Sequence, residues 1–222
     1  MSNHKRAFMR GLFGVFGVAA ASSGVQAQTS RTWSPVLEPQ DNWLDDTPAR
    51  HRQVFDTISP DGVARALTFT YTFYAANKDG YGLEPRDLAV VWILRAGSTA
   101  FGFTDTFWSK YSAGLAKRYK VIDPVTKSDA AINIYNAADR ANLLPTNGLT
   151  FDTLARMGGR FAICSVASRK LAVALAADMG GSADAIYADM MANMIASARM
   201  APAGIVAVNR AQEHHYALCY AG

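Results

Sequence analysis

The stretch Arg160-Phe161-Ala162-Ile163-Cys164 runs without a break into Ser165-Val166-Ala167-Ser168-Arg169-Lys170-Leu171, and this junction narrows the fold more than any other part of the chain. A short apolar, β-prone run feeds directly into an Ala/Leu-rich segment that stops at Gly180-Gly181. That is half of a βαβ unit. Cys164 therefore falls at the carboxyl end of a strand and beside the amino end of a helix. In open parallel sheets, ligands and chemistry collect at that edge. A thiol there also feels the helix dipole, which favours the thiolate.

The flanking sequence repeats the pattern. Arg50 to Ile58 reads as a first strand, and Ser59-Pro60-Asp61-Gly62 opens a helix that ends near Asn77-Lys78-Asp79-Gly80. A hydroxyl cap followed by proline at the first helical position is a helix start signal. Asp87 to Arg95 holds the unbroken run Leu-Ala-Val-Val-Trp-Ile-Leu, which predicts a strand buried on both faces, as in a parallel sheet. Phe103 to Tyr111 reads as a short helix capped by Thr104 or Asp105. Another short helix starts at Thr150 or Asp152 and closes at Gly158-Gly159. Ser182 caps a further helix whose Met190, Met191 and Met194 share a core-packing period. Arg199 to Pro202 is short and extended, Gly204 to Glu213 helical, and Tyr216 to Tyr220 a last strand. The alternation predicts an α/β fold with a mainly parallel, five-stranded sheet. The least regular stretch, Tyr119 to Gly148, reads as a lid or an oligomer contact.

The 222 residues are 50% hydrophobic, which suits one folded domain with a real core. Residues 1–27 read as an export signal. Lys5, Arg6 and Arg10 precede the apolar run Gly11 to Ala21, and Val25-Gln26-Ala27 is a small-x-small cleavage site. Lys5-Arg6 suits either a twin-arginine or a general secretory route. Residues 28–49 read as an irregular arm, with the domain occupying 50–222. The formal charge of +4 less the three cations of the leader leaves +1. So the mature chain, expected to be periplasmic or secreted and soluble, lacks the basic footprint of a nucleic-acid binder. It has no second membrane-length apolar run.

The chemistry-bearing residues are few. His4, His51 and the adjacent pair His214-His215 do not make a metal pincer, because neighbouring side chains point apart. Neither common Gly-rich phosphate loop is present. Gly97-Ser98-Thr99 follows the second strand and is short for an anion nest. Cys164 and Cys219 do not form a disulfide framework, and pairing them would need Cα atoms within about 7 Å. From position alone, Cys164 is equally a buried structural cysteine or a nucleophile with Arg169 and Lys170 one turn on.

Ile163-Cys164-Ser165-Val166-Ala167-Ser168-Arg169 resembles the cysteine-bearing strand–helix motif of the DsrE family of sulfur-relay proteins. Asn77-Lys78-Asp79-Gly80-Tyr81-Gly82 with Asp87-Leu88-Ala89-Val90-Val91, and the run Pro202 to Glu213, resemble its exported branch. The resemblance spans about residues 50–222. It implies a three-layer, flavodoxin-like domain that assembles into homo-oligomers and uses no cofactor. It also implies that Cys164 receives sulfane sulfur as a persulfide, from a small sulfur compound or a donor protein. In that setting Arg169 would stabilise the thiolate, and Arg95, Gly97 and Ser98 would bind an anionic sulfur species at the same edge. The competing expectation is a non-catalytic oligomeric binding module with Cys164 in its core. A third is a small-molecule enzyme with 119–148 as its lid.

Overall fold

The computed structural model describes residues 33–222, of which Pro35–Gly222 form one compact unit. The export-signal reading of 1–27 lies outside the described residues. Five strands are β1 (His51–Thr57), β2 (Leu88–Leu94), β3 (Arg160–Cys164), β4 (Ala198–Ala201) and β5 (Ala217–Tyr220). They lie in the order β4-β3-β2-β1-β5, and every neighbouring pair is parallel. Eight α-helices connect them among the described residues: α1 (Pro60–Tyr81), α2 (Asp105–Lys110), α3 (Ser112–Tyr119), α4 (Ala138–Ala141), α5 (Phe151–Arg156), α6 (Ser165–Met179), α7 (Ala183–Ala192) and α8 (Gly204–Glu213).

Side-chain alternation divides the sheet into two cores. On one face Phe55, Trp92, Leu94, Phe161 and Ile163 pack against α1, α2, α3, α5, α6 and α7. The Trp92 indole meets Phe151 edge-on, with ring centroids 5.3 Å apart. On the other face Val54, Val91, Ile93 and Ala162 pack against Ala207, Val208 and Ala211 of α8. The result is a three-layer α/β domain of flavodoxin type. Its last strand, rather than its second, lies beyond β1.

Local chemistry explains the boundaries. The Ser59 hydroxyl accepts a hydrogen bond from the Gly62 N–H at 2.9 Å and caps α1. The helix runs past Gly80, because Gly82 is the residue that adopts the left-handed conformation closing it, at φ 64. β2 is buried at all seven positions, as a central parallel strand must be.

The stretch 119–148 is anchored in the domain by part of its length. Ala130, Ile134 and Tyr135 belong to the larger core. The buried Asn133 amide donates to the carbonyls of Phe101 and Phe103 at 2.8 and 2.9 Å. Tyr135 donates to the Pro60 carbonyl at 3.0 Å. These side-chain-to-backbone bonds pin the segment without any periodic pattern.

The arm is built into the second core. Pro39–Leu44 forms a 3-10 helix that buries Trp43 and Leu44 against α8 and the sheet. Tyr216 donates to the Leu44 carbonyl at 2.7 Å. Asp45 pairs with Arg52 and with His214, whose Nδ1 lies 2.8 Å away, and Asp46 pairs with Arg160 at 2.8 Å. Burial works against ionisation of Asp45, yet its bonds to Arg52 and His214 prevail and hold the carboxyl below its usual range. Residues 35–49 thus form an acidic strap on a basic face.

Candidate functional site

Cys164 ends β3 and caps α6. Its backbone is extended, at φ −72 and ψ 110, and its Sγ accepts a hydrogen bond from the Ala167 N–H at 3.4 Å. The β3 sequence explains the placement. Phe161 and Ile163 face the larger core and Ala162 the smaller, so the alternation turns Cys164 toward the α8 side.

The topology singles out this strand end. β3 leads into α6 on one face of the sheet, whereas its neighbour β4 leads into α8 on the other. The crevice of an open α/β sheet lies where adjacent strands send their chains to opposite faces. Here that point falls between β3 and β4, where Cys164 stands in register with Ala201. Helices α6 and α8 both present their amino ends at this edge.

The thiol is nevertheless covered, with Cys164 only 6% exposed. The link from β4 to α8 passes this strand end. A Cβ added at Gly204 would lie 2.5 Å from Arg95 Cβ, so α8 begins against Arg95 at the end of β2. To get there from β4, residues 202–203 cross the end of β3.

The other expected site residues are spread around the edge. Arg95 is at the edge but bound. Its Nε and Nη2 donate to the two carboxylate oxygens of Asp56, each at 2.7 Å. Those bonds raise the guanidinium above its usual range, against burial and with smaller contributions from Tyr220 and Cys164. Asp56 thus already supplies a negative charge to two of the nitrogens of Arg95, the residue expected to bind an anionic sulfur species at this edge.

Gly97 and Ser98 form no anion nest. They lie in a 3-10 helix, Ala96–Gly102. The Gly97 N–H donates to the Ile58 carbonyl at 2.8 Å. The Ser98 hydroxyl is buried, 2.8 Å from the Thr57 carbonyl oxygen and 2.9 Å from that of Arg95. Both residues tie the end of β2 to the end of β1. Arg169 is exposed and lies over the Tyr187 ring of α7, 4.0 Å from its centroid, rather than on the thiol. A depression of about 260 Å³ runs along α6 from Ala167, with Lys170 and Arg118 in its wall, and Cys164 does not line it.

Cys219 lies on the larger-core side, packed beyond Phe55. Cys164 and Cys219 are both free and three strand spacings apart, at least about 14 Å. That separation excludes their pairing within the chain.

Asp56 is the residue that sequence reasoning passed over. Its signal was visible: a lone carboxylate in the apolar run Val54-Phe55-Asp56-Thr57, where a buried charge requires a partner. No family model matches the chain, and neither a curated protein nor a solved structure matches it.

Proposed function

We propose that the protein is an exported sulfur carrier that holds sulfane sulfur as a persulfide on Cys164. The observation that carries the reading is the position of this thiol at the crossover crevice between β3 and β4, in hydrogen-bond contact with the first turn of α6. Its surroundings are polar as well as apolar. The Ala167 N–H meets the sulfur, and the Asp56-bound Arg95 ends the neighbouring strand. Negative charge on sulfur gains from the α6 amino end, whether the group is thiolate or persulfide.

The step balances with thiosulfate as donor. The Cys164 thiolate attacks the outer sulfur, a new S–S bond forms, the bond to the sulfonate sulfur breaks, and sulfite leaves with the electron pair. An acceptor thiolate then takes the terminal sulfur and restores the Cys164 thiolate. The 6% exposure of Cys164 implies that a donor reaches the sulfur only when the structure around it opens.

The test is intact-mass measurement after exposure of the protein to thiosulfate or polysulfide. A gain of one sulfur atom, absent from Cys164→Ser, is expected. No gain, or a gain unaffected by the substitution, removes the carrier reading.

The burial of Cys164 favours a second reading, a non-catalytic oligomeric module in which the thiol is a core residue. In that case a small alkylating agent modifies Cys164 only after denaturation. In the carrier reading it reacts in the native protein.

A further inference from the structure

A second cavity, of about 350 Å³, opens on the α8 face between the Pro39–Leu44 helix, the edge strand β4 and α8. Its walls include Trp43, Pro202, Val206 and Ala207, and its charged residues are Asp41, Arg199 and Arg210. The volume is at the small end for a ligand site.

The charges are unequally matched. Arg210 is satisfied: Nη1 lies 2.5 Å from Glu213 and Nε 3.5 Å from Asp41. Arg199 is not. Its guanidinium lies over the Trp43 ring, 4.4 Å from the centroid. Among the described residues no carboxylate comes within ion-pair distance of it, and none of its five N–H donors has a protein acceptor. Burial and the nearby Arg160 push the guanidinium below its usual range, against a smaller pull from Asp46 and Asp41. Arg160 is itself engaged with Asp46 and the Trp43 carbonyl.

We propose that this cavity binds a small monocarboxylate, with the carboxylate on Arg199 and an apolar body against Trp43, Pro202 and Val206. One cation without a protein partner leaves its donors free for one negative charge. A planar carboxylate accepts two parallel N–H bonds from the fork of a guanidinium that lies over an indole. A doubly charged phosphate suits the cavity less, because Asp41 lies in the same wall. The cavity borders the Cys164 strand end through Ala201 and Pro202, but Cys164 does not line it, and its charge chemistry does not require the sulfur-carrier reading.

The experiment is calorimetric titration of the full mature protein with sodium benzoate and sodium hexanoate. Benzamide and hexanamide serve as neutral counterparts. Saturable binding of at least one carboxylate is expected, with its amide weaker by about tenfold. Arg199→Gln, an exposed substitution checked for an unchanged melting temperature, should weaken binding by a similar factor. No saturable binding of either carboxylate overturns the proposal. So does binding that Arg199→Gln retains, or amides that bind as tightly as the acids.

Discussion

Asp56 of β1 and Arg95 at the end of β2 form a two-pronged ion pair across adjacent parallel strands, with both N–H···O contacts at 2.7 Å. The Asp56 side chain is 5% exposed and that of Arg95 25%. The pair sits at the carboxyl edge, next to the strand that ends in Cys164. It sets the electrostatic balance of that edge, because a free Arg95 would attract anions and a paired one does not.

Removing one partner should therefore cost more than a surface ion pair is worth. Asp56→Asn leaves a partly buried guanidinium facing a neutral amide. The expected loss is about 2–3 kcal/mol by urea unfolding, reduced from the fully buried case by the exposure of Arg95. Replacing both residues, Asp56→Asn with Arg95→Met, should recover part of it. A single-substitution loss under about 0.5 kcal/mol would show that the pair is held by solvent rather than by the fold.

Gly204 is the contact point between α8 and that pair. A Cβ here would lie 2.5 Å from Arg95 Cβ and 2.7 Å from Arg95 Cδ. The first of these atoms is fixed to the backbone and cannot swing away. Gly204→Ala should destabilise by about 1–3 kcal/mol. Gly80→Ala, where nothing lies within 4 Å of the added carbon, should be neutral or stabilising by about 0.5 kcal/mol. Melting temperatures of the two variants compare the effects directly, and equal shifts would argue against the close approach.

Much of this architecture was legible in the chain, for a physical reason. Leu88–Leu94 and Gly204–Glu213 carry period and burial in adjacent residues, so local reading finds them. The strap and the 119–148 segment are held by single long-range bonds, such as Asn133 to Phe101 and Tyr216 to Leu44, which leave no period to read. The candidate site divides in the same way. The strand end under Cys164 follows from local pattern. The pairing of Arg95 with Asp56, 39 residues away, and the stacking of Arg169 on Tyr187 depend on how elements meet.

Acid should weaken the hold on the 119–148 segment. Asp123 is buried beside Arg140, with Nη2 to Oδ2 at 2.9 Å. Burial alone raises its pKa, but hydrogen bonds from Arg140 and from the Val125 and Thr126 backbone prevail and hold it below the ordinary 3.8. The folded state therefore binds this proton less readily than the unfolded chain. The stabilisation is fully present well above pH 3.8 and is lost as pH falls through the lowered value. Urea midpoints measured from about pH 6 down to pH 3 should fall in the wild type, and Asp123→Asn should flatten the lower part of the curve. An unchanged slope in the variant would assign the acid sensitivity to other carboxylates.

The strap tests whether charge or burial holds residues 35–49 in place. Its ion pairs involve exposed carboxylates, and the Asp46 side chain is 59% exposed. Such pairs contribute about 0–1 kcal/mol each and weaken with salt. Leu44 is 1% exposed and packs with Val54, Val91 and Tyr216 of the smaller core. Truncating it removes apolar contact and leaves a void. Leu44→Ala should thus cost about 2–4 kcal/mol, and Asp46→Asn under about 1 kcal/mol. Both should keep a single urea transition, because the strap completes the core that α8 only partly covers. A larger loss for Asp46→Asn than for Leu44→Ala would reverse the ranking, and a neutral Leu44→Ala would place the strap outside the cooperative unit.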